Sequence, residues 1–343
     1  MKAFILAAGE GTRLRPLTYT IPKPMFPVCN KPVMEYTLDL LKTHEITEVI
    51  INLHYRSNLI HNYFQDGSKL GIKVKYSHEK NILGTAGGVK KVINFFDDTF
   101  IVMSGDGLTG IDLHKTIQFH KEKKSVATMV VKNVDTRLEY GVTLTDEQGR
   151  IKEFVEKPSW GEVFSNTVNT GIYIFEPKVF SYVPKNKYFD FGHNLWPLLL
   201  KKKEKIFAYK MGEYWCDIGN LSEYRKAQRD VLEKRIKVSI PGKEIRESIW
   251  VDENSFIHPT VKLFSPCVIG KNCILEEGVI IDEFTVIGHN IVIRKNAKIK
   301  NSILWENVSV EKNVELNNCV IGNNAQVKEN ISVFDGSVIN IRE

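Results

Sequence analysis

The sequence predicts an α/β domain, a mainly parallel sheet with helices on both faces, followed by an all-β domain built from short strands. Three observations carry this reading. Up to about residue 236, apolar strand-like runs alternate with helix-like segments. Beyond Pro241-Gly242, aliphatic residues recur every sixth place. No segment approaches the ~20 uninterrupted apolar residues of a bilayer-spanning helix. The expected boundaries are 1–236 for the first domain, 237–256 for a linker and 257–343 for the second domain.

In the first domain, the runs at 4–7, 48–53, 72–77 and 99–104 are short and rich in Ile and Val. Between them, 33–44, 57–65 and 86–96 space their apolar residues at three and four, the signature of one helix face. Strand, helix, strand, helix builds a Rossmann-like parallel sheet, and ligands of such sheets gather at the carboxyl ends of the strands. Residues 125–175 are richer in strands and fit an antiparallel or mixed region added at the edge. A last helix is expected at 222–234.

In the second domain, Ile257, Leu263, Ile269, Leu275, Ile281, Ile287, Ile293 and Ile299 stand six apart. After one step of five come Leu304, Val310 and Leu316, and after another come Ile321, Val327, Val333 and Ile339. Six is even, so a strand puts every member on one face. On a helix, six steps of ~100° would throw successive members about 120° apart. Helix is excluded. The pattern resembles the hexapeptide repeat of left-handed parallel β-helices, with Ile269-Gly270 and Ile287-Gly288 as typical repeat openings.

Composition narrows the function. The 343 residues are 43% hydrophobic and 26% charged, ordinary for a globular protein. A net charge of +6 is compatible with phosphate-bearing substrates and does not demand nucleic acid. Cys29, Cys216, Cys267, Cys273 and Cys319 are scattered without a Cys-x-x-Cys pair, which argues against zinc and a disulfide scaffold and suits a reducing cytoplasm. The apolar run at the N-terminus, about six residues, is too short for a signal peptide and reads as a buried strand; no membrane association is expected. The basic run Lys201-Lys202-Lys203-Glu204-Lys205 reads as a solvated helix end.

The first strand leads into Leu6-Ala7-Ala8-Gly9-Glu10-Gly11-Thr12-Arg13-Leu14. Two glycines at this turn let backbone N–H groups approach phosphate oxygens. The dinucleotide fingerprint would need glycine where Leu14 stands, and the triphosphate loop Gly-Lys-Ser/Thr is absent from the chain. Prolines at 16, 22, 24, 27 and 32 imply an extended, stiff segment that fixes Arg13 and Lys23 at low ordering cost.

Residues 6–32 resemble the signature of the sugar-1-phosphate nucleotidyltransferases, and most closely their mannose-1-phosphate guanylyltransferase branch. Further blocks match in the same order: Leu83-Gly84-Thr85-Ala86-Gly87-Gly88, Ser104-Gly105-Asp106, Phe154-Val155-Glu156-Lys157-Pro158, Asn169-Thr170-Gly171-Ile172-Tyr173 and Tyr214-Trp215-Cys216-Asp217-Ile218-Gly219. The resemblance implies transfer of a nucleotidyl group from a nucleoside triphosphate, GTP first, to a sugar 1-phosphate, mannose 1-phosphate first. It implies Mg held by Asp106 and Asp217, and phosphates clamped by Arg13 and Lys23. Leu6, Ala8, Gly9, Gly11, Thr12, Gly84 and Thr85 would line the nucleotide site, and Gly141, Glu156, Lys157 and Asn169 the sugar-phosphate site. Gly110 stands where relatives often carry an acid, which bears on acceptor preference.

The residue types suit that chemistry independently. At ~4 Å and an effective dielectric of about 20, each pair of like charges costs about 4 kcal/mol, so two polyanions need cations between them. A phosphate nucleophile is already ionised, so catalysis rests on positioning and charge neutralisation. The chain has neither a nucleophile elbow nor a His-Glu-x-x-His motif, and its nine histidines show no clustering with acids. Asp112 reads as a helix cap. Uridylyl or thymidylyl transfer to glucose 1-phosphate is the alternative pair. An inactive nucleotide-sugar sensor and a β-helix acyltransferase are the rival classes. The sensor reading conflicts with the retained Arg13, Lys23, Asp106 and Asp217; the acyltransferase reading has only His258 and His289, both structural in appearance. The β-helix is expected to mediate a homo-oligomer or regulation.

Overall fold

The computed structural model describes residues 1–134, 140–159 and 164–340, so the expected mixed region and the last repeat each include undescribed residues. Two compact units result. One comprises Met1–Glu10 with Thr37–Asp217, the other Gly11–Tyr36 with Ile218–Glu343.

The first unit is built on β1 (Lys2–Leu6), α1 (Val33–Thr43), β2 (Glu48–Leu53), α2 (Ser57–Phe64), β3 (Lys73–His78), α3 (Gly84–Lys91) and β4 (Phe100–Ser104). Then come β5 (Gly107–Thr109), α4 (Leu113–Glu122), β6 (Ala127–Asn133), β7 (Val142–Thr145), β8 (Ile151–Val155), β9 (Thr167–Phe175), α5 (Trp196–Lys201), β10 (Ile206–Lys210) and β11 (Trp215–Asp217). The main sheet has nine strands, with the path β8-β7-β9-β4-β1-β2-β3, β6 against β9 and β10 against β6. Strands β1 to β4 are mutually parallel, whereas β9 runs antiparallel beside β4. The chain reverses its lateral direction between β1 and β4, which makes a crevice at their carboxyl ends.

The strands read from the sequence lie within a residue or two of those observed. The helix expected at 86–96 is shorter. Val92 leaves helical geometry at φ −116°, and a 3-10 turn, Ile93–Phe95, follows. That break lets Phe96 stack on Phe100 with ring centroids 3.9 Å apart. Phe175 in turn stacks on Phe191 and Trp196, filling the core behind β9.

In the second unit the proline segment is not extended. It folds into three 3-10 turns, Thr12–Leu14, Leu17–Tyr19 and Lys23–Met25. Proline's fixed φ near −65° serves the opening of a tight turn as well as an extended chain, and the motif alone does not separate the two. The segment is fastened to α6 (Leu221–Leu232) and to the repeats. The Pro27 carbonyl accepts from the Tyr224 hydroxyl and Gln228 Nε2, each at 2.6 Å, and the Cys29 N–H donates to Gln228 Oε1 at 2.7 Å. Trp305 Nε1 donates to the Tyr224 hydroxyl at 2.9 Å, and Phe26 meets the Trp305 ring edge-on at 5.0 Å.

The repeats form three parallel sheets, the faces of a left-handed β-helix. Successive coils are offset by 18 residues where Ile269 pairs with Ile287, and by 17 where Ile287 pairs with Leu304. The shorter coils are those containing a five-residue step. Every hexad aliphatic from Ile269 to Val327 is buried. The last step differs from expectation: Val338, not Ile339, pairs with Ile321 and packs on the core. Lys243–Arg246 and Ile249–Val251, inside the segment read as a linker, are strands, and the second pairs with the first full coil.

The corners hold what the hexad pattern does not show. Asn272, Asn290, Asn307 and Asn324 adopt φ of 56–58° and form a ladder in which each Nδ2 donates to the next Oδ1 at 3.0–3.1 Å. Asparagine tolerates left-handed backbone better than other non-glycine residues. Asn307→Ala should therefore cost about 2–3 kcal/mol, from backbone strain plus two hydrogen bonds of about 0.5–1.5 kcal/mol each. Asn307→Gly should recover the strain component only; urea denaturation of both variants checks the difference.

Candidate active site

A cavity of about 280 Å³ opens at the carboxyl ends of β1, β2 and β4. Its position follows from register: Leu6 lies opposite Asn52 on one side and Ser104 on the other, and all three line it. Of the expected nucleotide residues, Leu6, Ala8, Gly9, Gly84 and Thr85 line this cavity, and Asp106 joins them. Gly11 and Thr12 belong to the other unit.

Asp106 stands two residues beyond β4 and immediately before β5. Strand β11 pairs antiparallel with β5, so Asp217 lies opposite Gly107, next to Asp106 along the chain. The strand pair is held by Gly110 N–H on the Tyr214 carbonyl at 3.0 Å and by Trp215 Nε1 on the Thr170 carbonyl at 3.1 Å. The Ser104 hydroxyl donates to the Asp106 carboxylate. Two half-buried carboxylates on paired strand ends are hard oxygen donors, the set that suits Mg²⁺.

A buried network shapes the cavity wall, and the sequence reading missed it. Asn52 Oδ1 accepts from the Ala7 N–H at 2.8 Å, and Asn52 Nδ2 donates to Glu79 Oε1 at 2.7 Å. Glu79 Oε2 accepts from the Leu83 N–H at 2.9 Å. One amide and one carboxylate thus tie the loop after β1 to the ends of β2 and β3 and to the start of α3. Polar residues closing the apolar runs at 48–53 and 72–77 were the available signal. Asp190 was missed too: Thr85 Oγ1 donates to its Oδ2 at 2.8 Å and accepts from the Phe191 N–H at 2.6 Å. Gly84 is required between these, at φ +74°, where a Cβ would lie 2.7 Å from the Phe189 carbonyl oxygen.

The expected sugar-phosphate residues also come together. The Asn169 N–H donates to the Gly141 carbonyl at 2.8 Å, and the Glu156 carboxylate lies against the Gly141 and Gly192 backbones. The Asn169 amide is engaged by its neighbours, donating to the Tyr173 hydroxyl at 2.8 Å and accepting from the Gly171 N–H at 3.0 Å. Burial, reinforced by the Asp190 carboxylate, pushes the Glu156 acid above its ordinary range, while Lys157 and His193 oppose the shift. Lys157 is exposed and held at φ +47°, an uncommon backbone for a long side chain.

Arg13 and Lys23 lie on the first and third turns of the proline segment. Arg13 is exposed, but Lys23 is only 8% exposed, an unusual position for a lysine. Gly11, at φ +65°, opens the first turn, and a Cβ there would lie 3.4 Å from Lys23 Cβ and 2.9 Å from Thr18 Cγ2. The glycine therefore lets the backbone opening the first turn close over the lysine stem.

The histidines do cluster with an acid, contrary to the sequence reading. The fold brings the end of α1 to the start of α4, so His44, Asp112 and His114 present ligand atoms within 4.8 Å of one another. Asp112 caps α4 as expected, accepting from the Lys115 N–H at 3.1 Å. His44 Nδ1 meets the Leu40 carbonyl at 2.9 Å, and its Nε2 accepts from the Leu113 N–H at 3.3 Å. These internal bonds account for the cluster as a junction between helices. His289 Nδ1 accepts from the Lys271 N–H at 2.9 Å, a corner contact. Among the described residues, no helix is long and apolar enough to cross a membrane.

Comparison with known proteins agrees with this geometry. Residues 2–234 match the family described as Nucleotidyl transferase, and residues 246–342 match the EIF2B subunit epsilon LbH domain. A UTP--glucose-1-phosphate uridylyltransferase of Synechocystis is 41% identical over 89% of this chain and 83% of its own length. A mannose-1-phosphate guanylyltransferase of Mycobacterium tuberculosis is 31% identical over 78% of this chain and 75% of its own. The crystal structure of a putative glucose-1-phosphate thymidylyltransferase from Bacillus anthracis superposes with a TM-score of 0.62 at 26% identity, covering 70% of this chain and 97% of that one. The chain belongs to the sugar-1-phosphate nucleotidyltransferases of the Nucleotidyl transferase family.

Proposed function

We propose that this protein transfers the uridylyl group of UTP to glucose 1-phosphate, releasing pyrophosphate, with Mg²⁺ bound by Asp106 and Asp217. The pairing of Asp217 opposite Gly107, beside the Asp106 that lines the cavity, carries the proposal of metal-dependent transfer at this site. The choice of substrate pair rests on similarity: 41% identity to the uridylyltransferase against 31% to the guanylyltransferase. Guanylyl transfer to mannose 1-phosphate is the second reading, favoured by the matching blocks at 22–25 and 84–88.

In the reaction, a phosphate oxygen of the sugar phosphate bonds to the α-phosphorus while the bond to the β-phosphate oxygen breaks and pyrophosphate leaves. Bound Mg²⁺ would neutralise and orient the phosphate oxygens. Ala8 and Gly9 line the cavity, where their backbone N–H groups would meet nucleotide oxygens. Arg13 and Lys23 counter the triphosphate charge. Glu156 accepts from sugar hydroxyls and Lys157 faces the sugar phosphate. The nucleophile needs no base, only in-line placement.

Pyrophosphate release tests the substrate pair. With UTP and glucose 1-phosphate, kcat/KM should exceed that for GTP and mannose 1-phosphate by about tenfold or more. The reverse order would overturn the substrate reading, and no release with any pair would overturn the catalytic one.

The Glu156 environment adds a pH test. Its ionised form is the acceptor, and its pKa is raised, so activity should fall on the acid side at a pH above the ordinary glutamate value of about 4.3. Glu156→Gln should remove that acid limb and raise KM for the sugar phosphate; a pH profile of kcat/KM for both proteins checks it.

A further inference from the structure

A second cavity of about 280 Å³ lies wholly within the unit that contains α6 and the β-helix. Ser222, Arg225, Lys226 and Arg229 line it from α6, and Asn301 and Asn318 from the β-helix corner. Neither arginine has a carboxylate within 4.0 Å among the described residues. Of the two acids on the same helix, Glu223 and Asp230, the second pairs with Lys226 at 3.0 Å and with Arg235 at 3.6 Å. Arg225 and Arg229 stand four apart on the helix, a spacing at which like charges repel. Arg225 Nε is buried and, among the described residues, has no hydrogen-bond partner, which leaves a charged donor unsatisfied.

The rest of the cavity holds the arginines in place. Arg229 lies over the Phe284 ring, 4.6 Å from its centroid, and donates to Asn301 Oδ1 at 3.4 Å. Phe284 has φ 57° and stands where the next rungs carry Asn301 and Asn318, so the corner ladder is interrupted where the guanidinium stacks. Asn301 Nδ2 donates to Asn318 Oδ1 at 3.0 Å, and Asn318 Nδ2 donates to Asp335, the one carboxylate on this ladder. Cation, hydroxyl and amide groups converge, and among the described residues no acid lines the cavity wall.

We propose that this cavity is an anion site that takes a small phosphate monoester. Guanidinium groups match phosphate oxygens with paired donors, and a dianion would satisfy Arg225 Nε while relieving the repulsion along α6. The cavity measures about 280 Å³, a size that selects a small ligand over a polyphosphate strand. The site shares no residue with the cavity at the ends of β1 and β4. It therefore stands or falls separately from the substrate reading.

The test is arginine Nε–H NMR on the full-length protein, with the Arg225 and Arg229 signals assigned by their loss in Arg225→Lys and Arg229→Lys. Glycerol 3-phosphate should shift both signals saturably, and inorganic phosphate should do so more weakly. Calorimetric affinity for glycerol 3-phosphate at this site should fall about tenfold or more in Arg225→Gln/Arg229→Gln, whose turnover without added anion should match the parent. Shifts that fail to saturate and equal those of sodium chloride at the same ionic strength would overturn the proposal. Saturable shifts with inorganic phosphate but none with glycerol 3-phosphate would overturn the monoester assignment. A double variant that binds the ester as well as the parent would also overturn it.

Discussion

Asp217→Ala is expected to lower kcat by about 10³-fold or more while leaving the melting curve nearly unchanged. The magnitude follows from losing half of the carboxylate pair proposed to hold the Mg²⁺ that would neutralise the reacting phosphates, an electrostatic contribution usually worth more than one oxyanion donor at about 10²–10³-fold. The fold should tolerate the change because β11 is held through its backbone pairing with β5 and through Trp215 Nε1, neither of which uses the Asp217 side chain. Asp217→Asn separates charge from shape: it keeps the volume, loses the anion, and should be nearly as slow. Pyrophosphate release and thermal melting, measured together, check this. A variant at near-parental rate would remove Asp217 from the reaction.

Lys23→Ala is expected to lower kcat by about 10²–10³-fold, the range for removing one preorganised charge from the transition state. The substitution is informative because alanine retains Cβ, the atom against which Gly11 packs. The turn Lys23–Met25 also keeps its anchors, since the Pro27 carbonyl and Cys29 N–H bind Tyr224 and Gln228. Stability should therefore change much less than rate. Lys23→Arg should not restore turnover: the lysine is only 8% exposed, and a planar guanidinium does not fit where a compact ammonium does. Steady-state kinetics beside urea denaturation separates the catalytic loss from unfolding.

Tyr224 and Trp305 show why part of this was hidden in the sequence. The sequence locates the apolar strands at 48–53 and 99–104 and the hexads because both are local spacings that burial enforces at every step. Asp112 as a cap and Asp106 at a strand end are legible for the same reason. The anchoring of the proline segment is different. It depends on Phe26, Tyr224 and Trp305 meeting across separations of 81 residues and more, which no local period records. The grouping of residues 11–36 with the repeats follows from those contacts and was not foreseen.

The cavity wall divides in the same way. Gly84 and Thr85 were identified through resemblance, but their partners Phe189 and Asp190 lie more than a hundred residues on. Asn52 and Glu79 carry no motif, yet both are at most 4% exposed and join three strand ends. A polar side chain closing an apolar strand was the only trace. The corner asparagines were visible as letters, but their left-handed backbone comes from the coil geometry, not from hexad spacing. The substrate pair was the least legible feature, because Ile82, Tyr188 and Asp190 line the cavity without standing in any of the blocks that carry the resemblance.

The central claim is that Asp106 and Asp217 jointly hold the divalent ion of the reaction. Anomalous diffraction from crystals containing Mn²⁺ and the nucleotide-sugar product measures this directly. The expected result is a manganese peak coordinated by both carboxylates, absent from Asp217→Ala crystals. A peak that avoids either carboxylate, or one that survives in the variant, would contradict it.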